Sequence, residues 1–159
     1  MITADDIELA SLEDAHAIAR LSRDHIERGL GWSWTPQRVR SAIRKRECNV
    51  AVVRHGGQVR AFGIMEYGDA DAHLVLFAVA PELRRRGVGK TLLAWLEDVA
   101  LVAGIGRVYL ETRRTNRRGR EFYRNSGYRE VGTIQGYYSG RESAVRMVRK
   151  LRGEPARLP

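Results

Sequence analysis

The chain has a single cysteine, Cys48, among its 159 residues. One cysteine cannot form a disulfide within the chain, which excludes the disulfide-stabilised secreted domains and fits a reducing cytosol. No apolar run approaches the roughly 20 residues that a membrane-spanning helix needs, and the sequence shows no secretory signal pattern. Internal repeats, low-complexity segments and linkers are lacking as well. We therefore expect a cytoplasmic globular protein with no membrane partner.

Acidic residues are scarce relative to basic ones. The chain has 19 Asp and Glu against 28 Lys and Arg, which gives a net charge of +9. This balance indicates an anionic partner, either a phosphate-bearing small molecule or a nucleic acid. Nearly all of the basic residues are arginine, so a composition habit of the source genome explains the charge equally well. Charge alone therefore does not assign a partner.

Turn signals alternate with periodic apolar segments in a way that predicts a mixed α/β domain. The expected element order is β-α-α-β-β-β-α-β-α-β-β. We expect one folded domain over residues 1–153, followed by a frayed tail at 154–159. Ser11 is placed to cap a first helix that ends near Gly29. The Thr35-Pro36 pair opens a second helix, which runs to about residue 46.

The most informative stretch is the turn between an apolar strand and a long amphipathic helix. The strand, Leu74–Val79, is stopped by Pro81, and the turn reads Arg84-x-x-Gly87-x-Gly89. A helix start exposes unpaired N–H groups and the positive end of the helix dipole. Two glycines remove the side chains that would keep a ligand away from that backbone. The turn is therefore suited to a phosphate or pyrophosphate.

This turn resembles the acyl-CoA-binding motif of the GNAT superfamily of N-acetyltransferases, Arg/Gln-x-x-Gly-x-Gly/Ala. The alternative is an ordinary strand-to-helix turn with a solvated arginine run. The resemblance implies the GNAT fold, with a mixed, mostly antiparallel sheet flanked by helices, and acetyl-CoA as cofactor. It implies that the backbone of the strand contacts the pantetheine arm and that the turn contacts the pyrophosphate. The implied cofactor-binding residues are Phe77, Ala78, Val79, Arg84, Arg85, Arg86, Gly87, Val88, Gly89, Lys90, Thr91, Asn116 and Tyr123.

A second segment, Leu110–Tyr128, resembles the family motif Leu-Glu-Val-x-x-x-Asn-x-x-Ala-x-x-Leu-Tyr-x-x-x-Gly-Phe with the same spacing. Two positions depart from it, because Gly119 replaces the usual alanine and Phe122 replaces leucine. The glycine weakens the helix by roughly 1 kcal/mol but leaves room at the backbone. The resemblance thus covers the chain continuously from Leu74.

Acetyl transfer to an amine needs a neutral amine, a stabilised oxyanion and a proton for the leaving thiolate. The motif places Tyr123 as the acid that protonates the sulfur and Glu111 as the base. Strand alternation puts Glu111 on one face with Tyr109. Pairing of Glu111 with a neighbouring arginine is the competing interpretation. His73, Glu66 and a water molecule remain alternative bases, and no metal site is predicted.

The end of the chain, Gly136–Met147, is similar to the ending of RimI-type protein N-terminal acetyltransferases, except that Ser143 replaces the usual Asp. An α-amine with a pKa of about 7.7–8.0 costs only about 1 kcal/mol to deprotonate at neutral pH, whereas lysine costs roughly 4.6. Such an acceptor needs only a modest base. Four aromatic residues lie where family members line the acceptor groove, although core packing explains the tryptophans equally well. They are Trp32, Trp34, Tyr137 and Tyr138.

Three functions remain open at this point. The first is acetylation of a protein N-terminal α-amine, and the second is acetylation of a small amine such as a polyamine, an aminoglycoside or an amino acid. The third is a non-enzymatic basic module that binds nucleic acid, which the charge permits but no nucleic-acid-binding motif supports. The sequence leaves both a monomer and a homodimer open.

Overall fold

The structure, a computed structural model, describes residues 2–152. The frayed tail predicted at 154–159 lies outside these residues. Within them the predicted order of strands and helices is confirmed. Three short 3₁₀ turns are added to it, at Ala4–Asp6, Leu12–Asp14 and Pro81–Leu83.

The described part of the chain contains seven strands and four α-helices. The strands are β1 (Ile7–Leu9), β2 (Cys48–His55), β3 (Gln58–Tyr67), β4 (Asp71–Val79), β5 (Arg107–Arg113), β6 (Arg129–Tyr138) and β7 (Glu142–Lys150). The helices are α1 (Ala15–His25), α2 (Pro36–Arg44), α3 (Val88–Val102) and α4 (Arg117–Asn125).

All seven strands belong to one mixed sheet in the order β1-β2-β3-β4-β5-β7-β6. Neighbouring strands are antiparallel except β4 and β5, which are parallel because α3 carries the chain back across the sheet between them. The β2–β3 hairpin turns at Gly56 and Gly57, which have φ angles of +61° and +77°. Positive φ at both central residues is what a two-residue hairpin turn of type I′ requires.

The sheet separates two apolar cores. Helices α1 and α2 cover one face, where Val39 packs with Phe62, and helices α3 and α4 cover the other, where Leu96 packs with Met65. All four of these side chains are at most 1% exposed. Alternate strand residues supply the two faces, as the side-chain period of 2 requires. Among residues 2–152, no helix has the length and apolar character needed to cross a membrane.

Strand β4 contains a β-bulge at Val75. Ile64 of β3 pairs with Leu76, whereas the next residue, Met65, pairs with Leu74, so Val75 has no partner in the register. Before the bulge Leu74 faces the α3 core, and after it Leu76 faces the α1–α2 core. One extra residue therefore exchanges the faces to which the second half of β4 points.

The bulge coincides with the place where β4 and β5 separate. Their pairing runs from Asp71 opposite Arg107 to Leu74 opposite Leu110 and then ends. Beyond it β4 stays paired with β3, and β5 stays paired with β7. The sheet thus has a gap between the C-terminal halves of β4 and β5, and each of these strands remains paired with its other neighbour.

Helix α1 differs from the sequence-based prediction at both ends. It is preceded by the 3₁₀ turn, in which the backbone N–H and hydroxyl of Ser11 both donate to Asp14, at 2.9 and 3.3 Å. It ends at His25 and not near Gly29, because the N–H of Glu27 donates to the carbonyl of Ser22 at 2.8 Å and so closes the last turn. The residues after it are released to form a loop.

Candidate active site

A cavity of about 850 Å³ opens at the gap between β4 and β5. Its volume lies within the range of about 300–1,000 Å³ that is usual for ligand sites. Its wall includes both of these strands, the α1–α2 loop with the start of α2, helix α4 and the β6–β7 hairpin, and it also takes in residues of β2, β3 and the turn before α3. A lining residue from each of the first five parts is Phe77, Glu111, Trp34, Tyr123 and Tyr138.

The turn predicted to bind phosphate leads directly into α3. Gly87 is the N-cap, with a φ angle of +76°, and Arg85 is also left-handed, with a φ angle of +63°. The first backbone bond across a full helical turn joins the N–H of Thr91 to the carbonyl of Gly87 at 3.0 Å. The helix itself therefore leaves the N–H groups at its start unpaired, and two left-handed residues stand beside them, a backbone arrangement that suits an anion.

The two glycines of this turn are required for different reasons. A Cβ at Gly87 would meet no atom within 4 Å, so the positive φ angle is what calls for glycine. A Cβ at Gly89 would lie 3.3 Å from the ring of Phe122 and 3.4 Å from Val79. Gly89 thus lets α3 approach α4 and β4 closely, which the sequence interpretation, based on ligand access alone, did not include.

The side chains of the turn divide into inner and outer groups. Arg84 is half-buried and lines the cavity, and its Nε donates to the carbonyl of Val79 at 3.3 Å. Arg85, Arg86 and Lys90 are exposed, where cationic side chains can reach a phosphate from solvent. The remaining residues of the prediction have covered or partly covered side chains and offer chiefly backbone groups: Ala78, Val88 and Thr91.

The backbone of β4 presents hydrogen-bonding groups to the gap. The N–H of Ala80 donates to the carbonyl of Arg60 at 2.8 Å, on the β3 side. Because backbone groups alternate in direction along a strand, Phe77 and Val79 point theirs to the opposite side, where β5 has moved away. The predicted backbone contribution of these two residues therefore fits the observed register.

Asn116 lines the cavity, but its side chain is engaged within the chain. Its Oδ1 accepts from the N–H of Gly119 at 3.0 Å, and its Nδ2 donates to the hydroxyl of Thr112 at 3.2 Å. The side chain thus caps α4. A Cβ at position 119 would overlap this amide, so an alanine there would require the Asn116 side chain to shift.

Tyr123 projects from α4 into an aromatic cluster beside the gap. Its ring meets those of Phe122 and Tyr128 edge-on, with centroids 5.2 and 5.8 Å apart, and the residue is 8% exposed. Its hydroxyl makes no hydrogen bond to any group within residues 2–152. Burial raises the pKa of this hydroxyl, so it remains protonated at neutral pH.

Glu111 lies on β5 just past the last residue paired with β4. Its carboxylate is nearly buried and accepts hydrogen bonds from His73 Nε2 at 2.6 Å and from Arg146 Nη2 at 2.9 Å. Burial alone would raise the pKa of Glu111. The hydrogen bond and charge of His73, followed by those of Arg146, outweigh burial and hold the pKa below its usual value. Glu111 is therefore ionised at neutral pH.

His73 joins Glu111 in a single hydrogen-bonded pair. An ionised carboxylate can only accept, so the hydrogen bond assigns the proton to Nε2, which leaves the lone pair of the neutral ring on Nδ1. The ring stacks on Tyr109 with centroids 4.4 Å apart and planes at 6°, which fixes its orientation. From the sequence, Glu111 and His73 were alternative candidates for the base. In the structure the two side chains are hydrogen-bonded to each other.

Glu66, the third candidate base, lies opposite His73 in the β3–β4 register and also lines the cavity. It is exposed, and its carboxylate is 3.8 Å from the ammonium of Lys45 and 3.8 Å from the thiol of Cys48. Burial and the charge of Glu66 raise the pKa of that thiol to about 11. Cys48 is therefore a protonated, packed residue.

The two tryptophans occupy different surroundings. Trp34 lines the cavity, and the guanidinium of Arg38 lies 4.0 Å from the centre of its ring. Trp32 lies outside the cavity lining: its Nε1 donates to the carbonyl of Ala19 at 3.2 Å and it is 39% exposed. Trp32, which was predicted to line the acceptor groove, does not line this cavity, because the hydrogen bond turns its indole toward α1.

Tyr137 and Tyr138 both line the cavity from the β6–β7 hairpin, with their rings perpendicular and centroids 4.9 Å apart. Burial is the main cause that raises the pKa of each hydroxyl. They stand across the cavity from the α1–α2 loop. The predicted grouping of Trp34 with these tyrosines is therefore observed in space.

Arg113 is a cavity residue to which the sequence gave no role. Its Nη2 donates to the carbonyl of Ile26 at 2.8 Å, and its Nη1 lies 3.2 Å from the carboxylate of Glu142. Its guanidinium is also 5.9 Å from the ring centre of Tyr138. One side chain at the end of β5 thus connects the two loops that face each other across the cavity. No motif pointed to it, since it is one arginine in a run of several.

Glu27 is a second such residue. It is 7% exposed, and its carboxylate accepts from the hydroxyls of Ser22 and Ser33 at 2.9 and 2.6 Å and from the N–H of Ser33 at 2.8 Å. These bonds fold the α1–α2 loop over the cavity and hold Trp34 at its wall. The only sequence signal was an acidic residue near the end of a predicted helix.

Comparison with known proteins agrees with this architecture. The acetyltransferase (GNAT) family profile matches residues 14–128. The [ribosomal protein bS18]-alanine N-acetyltransferase of Escherichia coli K12 is 31% identical over 127 residues, which cover 77% of this chain and 85% of that protein.

Two solved structures show the same fold. Ard1 from Thermoplasma volcanium superposes with a TM-score of 0.79 at 25% identity, covering 92% of this chain and 97% of that one. An aminoglycoside 6'-N-acetyltransferase complexed with coenzyme A gives a TM-score of 0.78 at 18% identity, covering 98% and 99%. The second likeness concerns the fold alone.

Proposed function

Because the chain belongs to the GNAT family of N-acetyltransferases, it transfers an acetyl group from acetyl-CoA to an amine, and we propose that this amine is the α-amine of a protein N-terminus. The observation that carries the proposal is the Glu111–His73 pair at the inner end of the gap. An imidazole is a base of modest strength, which suits an amine that is already close to neutral.

The residues present fit acetyl-CoA. The turn before α3 offers unpaired N–H groups and the cationic Arg85, Arg86 and Lys90 to a pyrophosphate. The gap in the sheet exposes the N–H groups of Phe77 and Val79 to an extended arm. When bound, acetyl-CoA supplies the acetyl group as a reactive thioester.

On this proposal His73 Nδ1 accepts the proton of the acceptor ammonium, directly or through one water. Glu111 is a weak base because its pKa is lowered, so its part is to hold the Nε2 proton and to stabilise the imidazolium that forms. Arg146 keeps this carboxylate ionised and in position. Glu111 is then a positioning residue, and the direct base is its partner.

Val79 and Tyr123 act on the other side of the reaction. The Val79 N–H faces the gap, where it can donate to the oxygen of the attacked carbonyl. The Tyr123 hydroxyl has no partner in residues 2–152 and is free to donate its proton to the departing thiolate. Burial raises the pKa of Tyr123, which makes its proton harder to remove. Burial also raises the pKa of the thiol that is formed beside it, so the difference between the two pKa values grows by less than the shift of the tyrosine alone.

The charge of the cavity favours a peptide terminus over a polyamine or aminoglycoside. Arg28 and Arg38 line the cavity with exposed side chains. A polycationic acceptor needs free carboxylates for its additional ammonium groups, and arginines repel them. The similarity to the E. coli enzyme, whose name specifies the alanine of a ribosomal protein, supports the same choice.

The test compares three acceptors in an assay of coenzyme A release. They are a peptide with a free N-terminus, the same peptide with a blocked N-terminus and an internal lysine, and spermidine. We expect kcat/KM to be highest for the free N-terminus and to fall by at least tenfold on blocking. Undiminished activity on the blocked peptide, or a much better reaction with spermidine, would refute the proposal.

A further inference from the structure

The carboxylates that line the cavity are all engaged by other groups of the chain. Glu27 is surrounded by hydroxyl and N–H donors, Glu66 lies 3.8 Å from Lys45, and Glu111 is bonded to a histidine and an arginine. These three are the only acidic residues in the described lining. Each of them already has a hydrogen-bonding or ionic partner within the chain.

Two arginines that line the cavity have no carboxylate partner in the described part of the chain. Arg28 and Arg38 are exposed, and neither has a carboxylate within 4.0 Å among residues 2–152. Arg38 is also ordered, since its guanidinium stacks on the ring of Trp34 at 4.0 Å. A guanidinium stacked on an aromatic face keeps its N–H edges free for a carboxylate.

Arg38 faces the opposite wall of the cavity. Its charge acts on the hydroxyl of Tyr137, where it opposes the rise in pKa that burial causes. Both side chains line the cavity, Arg38 from α2 and Tyr137 from the β6–β7 hairpin. An acceptor chain that leaves the cavity between these two elements would place the residues after its amine within reach of Arg38.

We propose that the enzyme selects acceptor peptides with an aspartate or glutamate within the first few residues after the α-amine, and that Arg38 recognises this carboxylate, with Arg28 as a secondary contact. This inference rests on the proposed function, because it assumes a peptide acceptor. An ion pair between the peptide carboxylate and either arginine would form at an exposed site. Each arginine should therefore contribute about twofold to fivefold to kcat/KM, and its effect should weaken as the salt concentration rises.

The experiment uses three peptides that share the first residue and a free α-amine. They carry glutamate, glutamine or lysine at the following positions. The full-length enzyme should show the order glutamate, glutamine, lysine in kcat/KM at low ionic strength, with the differences compressed in high salt. Equal rates for all three peptides, or a preference for lysine, would overturn the inference and leave the proposed function standing.

Two substitutions at one position sharpen the result. Arg38→Gln should remove most of the preference for glutamate, and Arg38→Glu should reverse it in favour of the lysine peptide. Arg40→Gln is the matched control, because Arg40 is on the same helix, outside the cavity, and bonded to His16 at 3.1 Å. A change of preference in the control equal to that of Arg38→Gln would show a general charge effect and refute a role for Arg38.

The outcome also separates this inference from the function on which it rests. Reaction of the blocked peptide or of spermidine in preference to every free N-terminus would refute the peptide acceptor and this selection together. Reaction of free N-termini without charge preference would refute the selection alone.

Discussion

His73 donates a 2.6 Å hydrogen bond to Glu111 across the point where β4 and β5 stop pairing. His73 lies within the last paired residues of β4, and Glu111 is the first residue of β5 beyond them. The bond therefore spans the inner end of the gap. Its consequences for catalysis can be measured.

Substituting either His73 or Glu111 should lower kcat/KM by a similar factor. We expect His73→Asn and Glu111→Gln each to lower kcat/KM by about 10²-fold, since a positioned base contributes about 10²–10⁴-fold. The double variant should lose little more, because residues that act as a unit are not additive. Steady-state kinetics with the free-N-terminus peptide measures all three.

The comparison also identifies the direct base. If His73→Asn were fully active while Glu111→Gln was not, Glu111 itself would take the proton. In the wild type, Glu111 is ionised well below neutral pH, because its pKa is lowered. We therefore expect its own titration to leave no inflection in the kcat/KM profile near neutral pH.

Tyr123→Phe tests the acid. The change removes only a hydroxyl that has no partner within residues 2–152, so packing is preserved. We expect kcat to fall by about 10²–10⁴-fold, with acetyl-CoA affinity from calorimetry nearly unchanged. Full turnover in the variant would exclude Tyr123 from the mechanism.

Gly87→Ala tests the turn. A Cβ at a φ angle of +76° costs about 1–2 kcal/mol, and relief of that strain should distort the N–H groups that face the phosphate. We expect a loss of acetyl-CoA affinity of about tenfold or more, which corresponds to about 1.4 kcal/mol.

Gly104→Ala provides the control for the turn. Gly104 has a φ angle of +87°, and a Cβ there would also meet no atom within 4 Å, but the residue follows the other end of α3. We expect similar destabilisation in both variants, with cofactor affinity preserved only in Gly104→Ala. Equal affinities would show that the turn does not bind the cofactor.

Arg113→Gln should affect the acceptor and not the cofactor. It removes the contacts to Ile26 and Glu142 that connect the two loops. We expect the peptide KM to rise by about tenfold or more, since a hydrogen bond to a charged group contributes about 1.5–3 kcal/mol. The acetyl-CoA KM should stay constant. Arg114→Gln, an exposed neighbour, serves as control, and an equal effect there would contradict the role of Arg113.

Asp14 should make the fold sensitive to acid. It accepts two 2.9 Å hydrogen bonds from Arg54, which, against the opposing effect of burial, hold the pKa of Asp14 below its ordinary value of 3.8. A lowered pKa means that the unfolded chain binds this proton more readily. The stabilisation is therefore complete above the ordinary pKa and is lost as pH falls through the folded one.

The corresponding variant is Asp14→Asn. Near neutral pH we expect it to reduce the free energy of unfolding by about 1.5–3 kcal/mol, and the difference from wild type should shrink below pH 3.8. Urea denaturation across this range measures it. Asp24→Asn, in an exposed pair with Arg23, should change little, and a larger effect there would contradict the assignment.

The sequence allowed the family, the element order and the face of Glu111 to be predicted, because each depends on local spacing. The bond between His73 and Glu111 could not be predicted, since it joins residues 38 positions apart through the register of two parallel strands. The bulge at Val75 was equally hidden, because it interrupts an apolar run without changing its composition. The position of Trp32 depended on a hydrogen bond to one carbonyl, which no pattern encodes.

The gap in the sheet also has a consequence for the lifetime of the protein. Four residue pairs are all that join β4 to β5, so the halves of the sheet on either side share a short seam. A molecule in the gap fills the place of the missing strand pairs, and it binds the native state only. At a concentration 100 times its Kd, such a ligand adds about 2.7 kcal/mol to stability. The resistance of this protein to unfolding, and so to proteolysis in a cell, then follows the supply of its own substrate.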